Sequence, residues 1–159
     1  MNTYYRIATL TCLAFIGAAC LFFQIVIGPG AAFTLIHDYD VPAGWARFWQ
    51  VLGTVCIVCV EVVLIWLAQL VNRVANDTIF QPSSLVIVGR IHVATLAATV
   101  IAVVWMLTYL AAAPQIFLQI VACIAGFTLA TVTVSLIVGI LNKLLAQANA
   151  AIDELKGVI

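Results

Sequence analysis

The sequence predicts an all-α integral membrane protein: a four-helix bundle with N- and C-termini cytoplasmic and a cytoplasmic amphipathic extension after the last span. Three observations predict it. Four apolar runs, residues 7–27, 48–71, 91–111 and 116–141, each reach the about 20 residues that a helix needs to cross a ~30 Å hydrocarbon core. Hydrophobic residues make up 66% of the 159 and charged residues 8%, far from the balance of a soluble domain. The basic residues divide five to one: Arg6, Arg73, Arg90, Lys143 and Lys156 fall on one side of a four-span topology and Arg47 on the other. The basic-rich side is the cytoplasmic one. Residues 1–159 form a single membrane domain.

Span one follows the single charge of Arg6, and its run is longer than the core of a signal peptide, so it reads as a span. Pro29 and Gly30 are expected to end it. Residues 28–47 then form an outward-facing connection, broken again at Pro42 and Gly44, with Phe33-Thr34-Leu35-Ile36 packing on the membrane or the bundle. Trp45, Trp49 and Tyr109 are expected at the outer interface, and Tyr4 and Tyr5 at the inner one, where amphipathic rings favour the headgroup level.

After span two, residues 72–90 form the cytoplasmic connection. Asn76-Asp77 reads as a turn and Pro82-Ser83-Ser84 as a helix start, from which the apolar pattern runs unbroken into span three. Ala112-Ala113-Pro114-Gln115 is short enough to force spans three and four into an antiparallel hairpin. In the tail, 142–159, the seam begun at Leu141 continues through Leu145, Ala148, Ile152, Leu155 and Ile159 at steps of four and three. This is an amphipathic helix. It either lies against the membrane or the second connection, or pairs with a second copy or a soluble partner.

Several function classes are disfavoured. The formal net charge is zero, which argues against direct nucleic-acid binding. All five cysteines lie inside spans, so no disulfide framework is implied. Cys56-x-x-Cys59 has the spacing of a redox pair but stands mid-helix in hydrocarbon, away from the helix N-terminus such pairs use. His37, Asp38 and Asp40 read as a solvated loop rather than a metal site, and His37 and His92 stand at opposite membrane faces. With no nucleophile–base pair, phosphate loop or credible metal set, the expectation is a non-enzyme without cofactor or metal.

Chemistry inside the spans centres on Glu61, 13 residues from one end of span two and 10 from the other. A charge at that depth costs at least ~2.5–3.5 kcal/mol on insertion scales, so it is expected to face the bundle interior. At about 100° per residue, Gln50, Thr54, Glu61 and Asn72 share one stripe. Span three carries His92, Thr95, Thr99 and Met106, and span four Thr128, Thr131, Ser135 and Asn142. If the stripes converge, Glu61 bonds to Thr99, Thr128 or Thr131. The set Glu61, Gln50, Thr54, Thr99, Thr128 and Thr131 is then either the glue of the bundle or an intramembrane polar site. Ala122, Gly126 and Ala130, with Ala94, Ala98 and Ala102, are small residues that let helices approach. They are expected to pack spans three and four together, with a homo-oligomer as the alternative.

Asn76-Asp77-Thr78-Ile79-Phe80, then Ser84, then Gly89-Arg90-Ile91 opening span three, with Leu144-Leu145-x-x-Ala148 and Ile152-Asp153-Glu154-Leu155 in the tail, resemble the bacterial four-span family filed as domain of unknown function 2975. Asp153-Glu154 supplies the acidic tail of that pattern, and its Asn is missing here. The resemblance implies a multi-pass protein of the bacterial cytoplasmic membrane with no known activity. Because members are described as neighbours of small helix-turn-helix transcription regulators, it also implies the membrane component of a regulatory pair. The expected partner contacts are Asp77, Phe80 and Arg90 in the connection and Leu145, Ile152 and Leu155 in the tail. The alternative is a small transporter or channel-like protein with Glu61 lining a polar pathway.

Overall fold

The computed structural model describes residues 3–76, 82–113 and 118–157, and side chains in these ranges except those of 82, 119 and 152–157. It is all-helical. Helix α1 (Thr3–Phe22) passes through a π-helical turn (Phe23–Ile27) into α2 (Gly28–His37), so that one rod runs from Thr3 to His37. Then follow α3 (Ala43–Ala75), α4 (Pro82–Ala112) and α5 (Leu118–Gly157). Four helices are long and apolar enough to cross a bilayer, and the chain is a multi-pass membrane protein.

Packing follows chain order: α1 and α2 lie on α3, α3 on α4, and α4 on α5. Among the described residues neither α1 nor α3 has an interface with α5 of comparable extent. The more buried residues of α1 and the π-helical turn are Arg6, Leu10, Leu13, Gly17, Cys20 and Gln24, a seam alternating steps of four and three. That spacing is the mark of helices crossing at about 20°. Helix α3 carries two such seams. Ala46, Trp49, Gly53, Cys56 and Val63 are buried on the first. Gln50, Thr54, Ile57, Glu61, Leu64, Ala68 and Asn72 form the second, about 100° round the helix, which faces α1 and α2.

Two apolar cores hold the ends. At the aromatic end, Val41, Ala46, Trp49, Tyr109 and Ile124 are buried together, with Leu35 and Ile36 packed against them. At the basic end Val63, Ile87 and Ile91 form the second core. Between them α3 and α4 meet through small residues. The Cys56 thiol donates to the Ala98 carbonyl at 3.8 Å, and Ala102 is fully buried. The Trp105 ring lies against Gly53, where an added Cβ would stand 3.0 Å from Cη2. A glycine is needed there for this close approach.

Three expectations change. The first span does not end at Pro29-Gly30. Proline lacks an N–H and crowds the carbonyl four residues back, but the π-helical turn just before it widens the backbone, and the Gly28 N–H reaches back to Phe23 O. The helix therefore continues to His37, and the connection shrinks to a short turn. There the Val41 N–H donates to Leu35 O at 3.0 Å and Asp40 adopts φ 52°, a left-handed conformation that short polar side chains tolerate. Secondly, Trp49 and Tyr109 do not lie open to the headgroups but are turned into the bundle. Both are core residues, packed edge to face with centroids 5.0 Å apart, whereas Trp45 is exposed. Thirdly, Ala98 and Ala102 are buried, but Ala122, Gly126 and Ala130 are exposed. The face of α5 on α4 is instead that of Ile124, Thr131 and Ser135, so the two small-residue stripes do not face each other.

Gly53→Ala is expected to destabilise the protein by about 1–3 kcal/mol, because the half-buried Trp105 ring must move. Gly126→Ala, with nothing among the described residues within 4 Å, should lie within about 0.5 kcal/mol of the parent. Unfolding in mixed micelles, followed by tryptophan fluorescence, compares the two.

Candidate functional site

Lipid offers no hydrogen bonds, so polar side chains in a span collect where another helix covers them. In this protein they collect along two seams, one between α1–α2 and α3 and one between α4 and α5. At the basic end Arg6 Nε donates to Asn72 Oδ1 at 3.0 Å. That pair lies eleven residues along α3 from Glu61, or about 16 Å at 1.5 Å per residue, too far for an ion pair.

Glu61 stands mid-seam. It lines a groove of about 410 Å³ with Leu10, Leu13, Gly17 and Leu21 of the first helix and Leu64 of its own. Its Oε1 is buried with no hydrogen-bond partner among the described residues. One and two turns further toward the aromatic end the seam opens into a second space, a cavity of about 180 Å³ in the corner between the first rod, α3 and α4. Gln24 from the π-helical turn enters its wall, as do Trp49, Gln50 and Thr54 of α3 and Trp105 of α4. The Thr54 hydroxyl donates to Gln50 O at 2.9 Å. Gln24 Nε2 and Trp49 Nε1 are buried without partners among the described residues.

The expected polar set is thus divided. Gln50 and Thr54 share the α3 seam with Glu61 but belong to the cavity, while Glu61 belongs to the groove. The three threonines from the other spans do not join it. Their hydroxyls donate within their own helices, Thr99 to Thr95 O at 2.9 Å, Thr128 to Ile124 O at 2.8 Å and Thr131 to Thr128 O at 2.9 Å. Thr99 lies about 20° round α4 from His92, and the His92 ring packs on Gly139 of α5, with Cε1 3.3 Å from where a Cβ would stand. The stripes of spans three and four therefore meet each other, and the stripe of span two meets the first helix. Two residues of the seam escape the sequence reading, Gln24 and Arg6. Gln24 had a signal, an amide inside a long apolar run at seven-residue steps from Gly17 and Leu10.

At the basic end, Arg73 Nη1 donates to Ser83 Oγ and, at 3.3 Å, to Ser84 Oγ, joining the end of α3 to the start of α4. Ser84 is fully buried. Arg90 is exposed and Leu145 half-buried. Asp77 and Phe80 lie outside the described residues, as do the side chains of Ile152 and Leu155.

Residues 29–159 match the family model described as a protein of unknown function, DUF2975. No curated protein and no solved structure matches the chain.

A buried acceptor without a partner costs about 1–3 kcal/mol. Glu61→Leu is accordingly expected to unfold at the same denaturant concentration as the parent or a higher one. Arg6→Ala should lower stability by about 1 kcal/mol through the lost bond to Asn72. Both are measured by unfolding in mixed micelles.

Proposed function

We propose, from the premise that the chain belongs to the DUF2975 family of proteins of unknown function, that it is a non-enzymatic regulatory component of the bacterial cytoplasmic membrane. Its basic end, with Arg6, Arg73, Arg90 and Lys143, faces the cytoplasm, a reading that the distribution of positive charge supports. That end offers the contact surface for a soluble partner, and the transcription regulators associated with such families are the partner class tested first.

The observation that carries this reading is the length of α5. It runs 40 residues without a break, from Leu118 to Gly157, about 60 Å at 1.5 Å per residue against the ~30 Å a bilayer core needs. Helix α4 likewise begins at Pro82, more than two turns before the charge-free run that starts at Ile91. The Arg73 bonds to Ser83 and Ser84 brace α3 to this projecting part of α4. Along the projecting part of α5, Leu145 and Ala148 are half-buried while Lys143 and the apolar Leu144 are exposed, so one face is turned inward and an apolar side chain is left outward for a partner.

A second reading, a small transporter or channel-like protein, draws support from Glu61 alone. Its carboxyl lines a groove and Oε1 has no partner among the described residues. The threonines of α4 and α5, turned to their own backbones, add no lining to that groove.

Affinity isolation from membranes compares the full chain with a form lacking residues after Asn142. The full chain should retain a soluble partner that the shortened form loses, and Leu145→Asp should weaken the capture. Equal capture by all forms, or none by the full chain, rejects the regulatory reading. Flux into liposomes, parent against Glu61→Gln, decides the second: equal flux or none removes it.

A further inference from the structure

The cavity at the aromatic end is not used by the regulatory reading, and it has the makings of a ligand site. Phe23, Ile27, Leu35, Ile57 and Ile120 give it an apolar wall, and no charged residue among the described ones lines it. Trp49, 3% exposed, brings an indole N–H, which can donate and never accept. Neither that N–H nor the Gln24 amide nitrogen has a partner among the described residues. Buried donors are almost always satisfied in folded proteins, and the exceptions require a reason. Both side chains line the cavity while their nitrogens are covered, so a turn of the side chain is needed to bring either donor to a ligand. Two unpaired donors beside an uncharged apolar space select a neutral acceptor oxygen on an apolar body. An anion would meet no countercharge there, and a hydrocarbon would leave both donors unmet.

Two independent features agree. Gln24 sits inside the π-helical turn, a costly backbone form that recurs at functional sites. The depth also fits. Trp49 lies ten residues from Cys59, the midpoint of α3, so the donors stand about 15 Å from the centre of the helix, at the edge of a ~30 Å hydrocarbon core. Ester carbonyls of membrane lipids lie at that level, and so does the carbonyl of a lipophilic molecule anchored at the interface. The cavity's 180 Å³ is close to the about 150 Å³ that takes up a benzene. It accepts one chain segment or one ring.

We propose that this cavity binds an apolar chain or ring through a single carbonyl oxygen, which accepts hydrogen bonds from Trp49 Nε1 and the Gln24 amide. The carbonyl comes from a bilayer ester lipid or from a free lipophilic carbonyl compound, and lipid chemistry separates the two. The full-length protein is purified from cells, one portion is reconstituted in ester-linked and another in ether-linked phospholipid nanodiscs, and native mass spectrometry measures what stays bound after delipidation. One carbonyl-bearing molecule per chain is expected. Trp49→Phe, which keeps the ring and removes the donor, and Gln24→Leu should each lower its occupancy about tenfold, the worth of one buried hydrogen bond. A retained ester lipid that is lost in ether-linked discs identifies the bilayer as the source. A carbonyl compound that persists in ether-linked discs and is lost in the variants identifies a free ligand. Retention of nothing, equal retention of ether lipid, or unchanged occupancy in a folded variant overturns the proposal. Should Trp49→Phe fail to fold, Gln24→Leu, at a half-buried position, decides it alone.

Discussion

Hydrocarbon satisfies no hydrogen bond, and this constraint organises the whole molecule. The third helix is where it acts. One seam of α3, built from Ala46, Gly53, Cys56 and Val63, is small or apolar and lies on α4. The other carries Gln50, Thr54, Glu61 and Asn72 and must be covered by something. The first rod is that cover, meeting the polar line with Arg6 at one end and Gln24 at the other. The α3–α4 contact is close because small residues allow it. The contact of α3 with the first rod is looser, with a groove and a cavity along it, because the polar side chains there leave gaps that apolar knobs would have filled.

Much of this was legible in the residues. Run length and charge placement set the number of crossings, Pro82 marked the start of α4, and Gln50, Thr54, Glu61 and Asn72 do lie on one face. Which helix that face meets was not legible. In an apolar span every face is acceptable to lipid, so periodicity that would orient a soluble helix says little about rotation. The threonines of α4 and α5 looked available to Glu61 because a hydroxyl in a list of residues has no direction. In the fold each bonds to a carbonyl three or four residues back, the local solution a helix in lipid offers to serine and threonine. Pro29 and Gly30 misled for a different reason: their usual effect on a helix is relieved by the wider turn that precedes them, and nothing in the order of residues announces a π-helical turn.

The two ends of the molecule face different tasks. At the aromatic end all the rods converge, Trp49 and Tyr109 are buried together, and the turn at Asp40 is tied back to Leu35 through Val41. This end is closed and holds the cavity. At the basic end α4 and α5 run past the level of the last core residues, braced by Arg73, and offer surface rather than enclosure. The family match begins at residue 29, so it takes in the projecting end and all of α3 while leaving out the rod segment that covers the polar seam.

The π-helical turn also works as a phase keeper. Each residue added to or taken from a helix turns everything beyond it by about 100°. The turn at Phe23–Ile27 lets two stretches of helix, before and after it, both present their narrow inward edge to the same neighbour. A chain shortened by one residue between Cys20 and Ala32 would still be apolar and still long enough to cross. It would nonetheless swing Arg6 and Leu10 out into the lipid while Leu35 kept its place, so the spacing of this stretch is constrained as tightly as its composition.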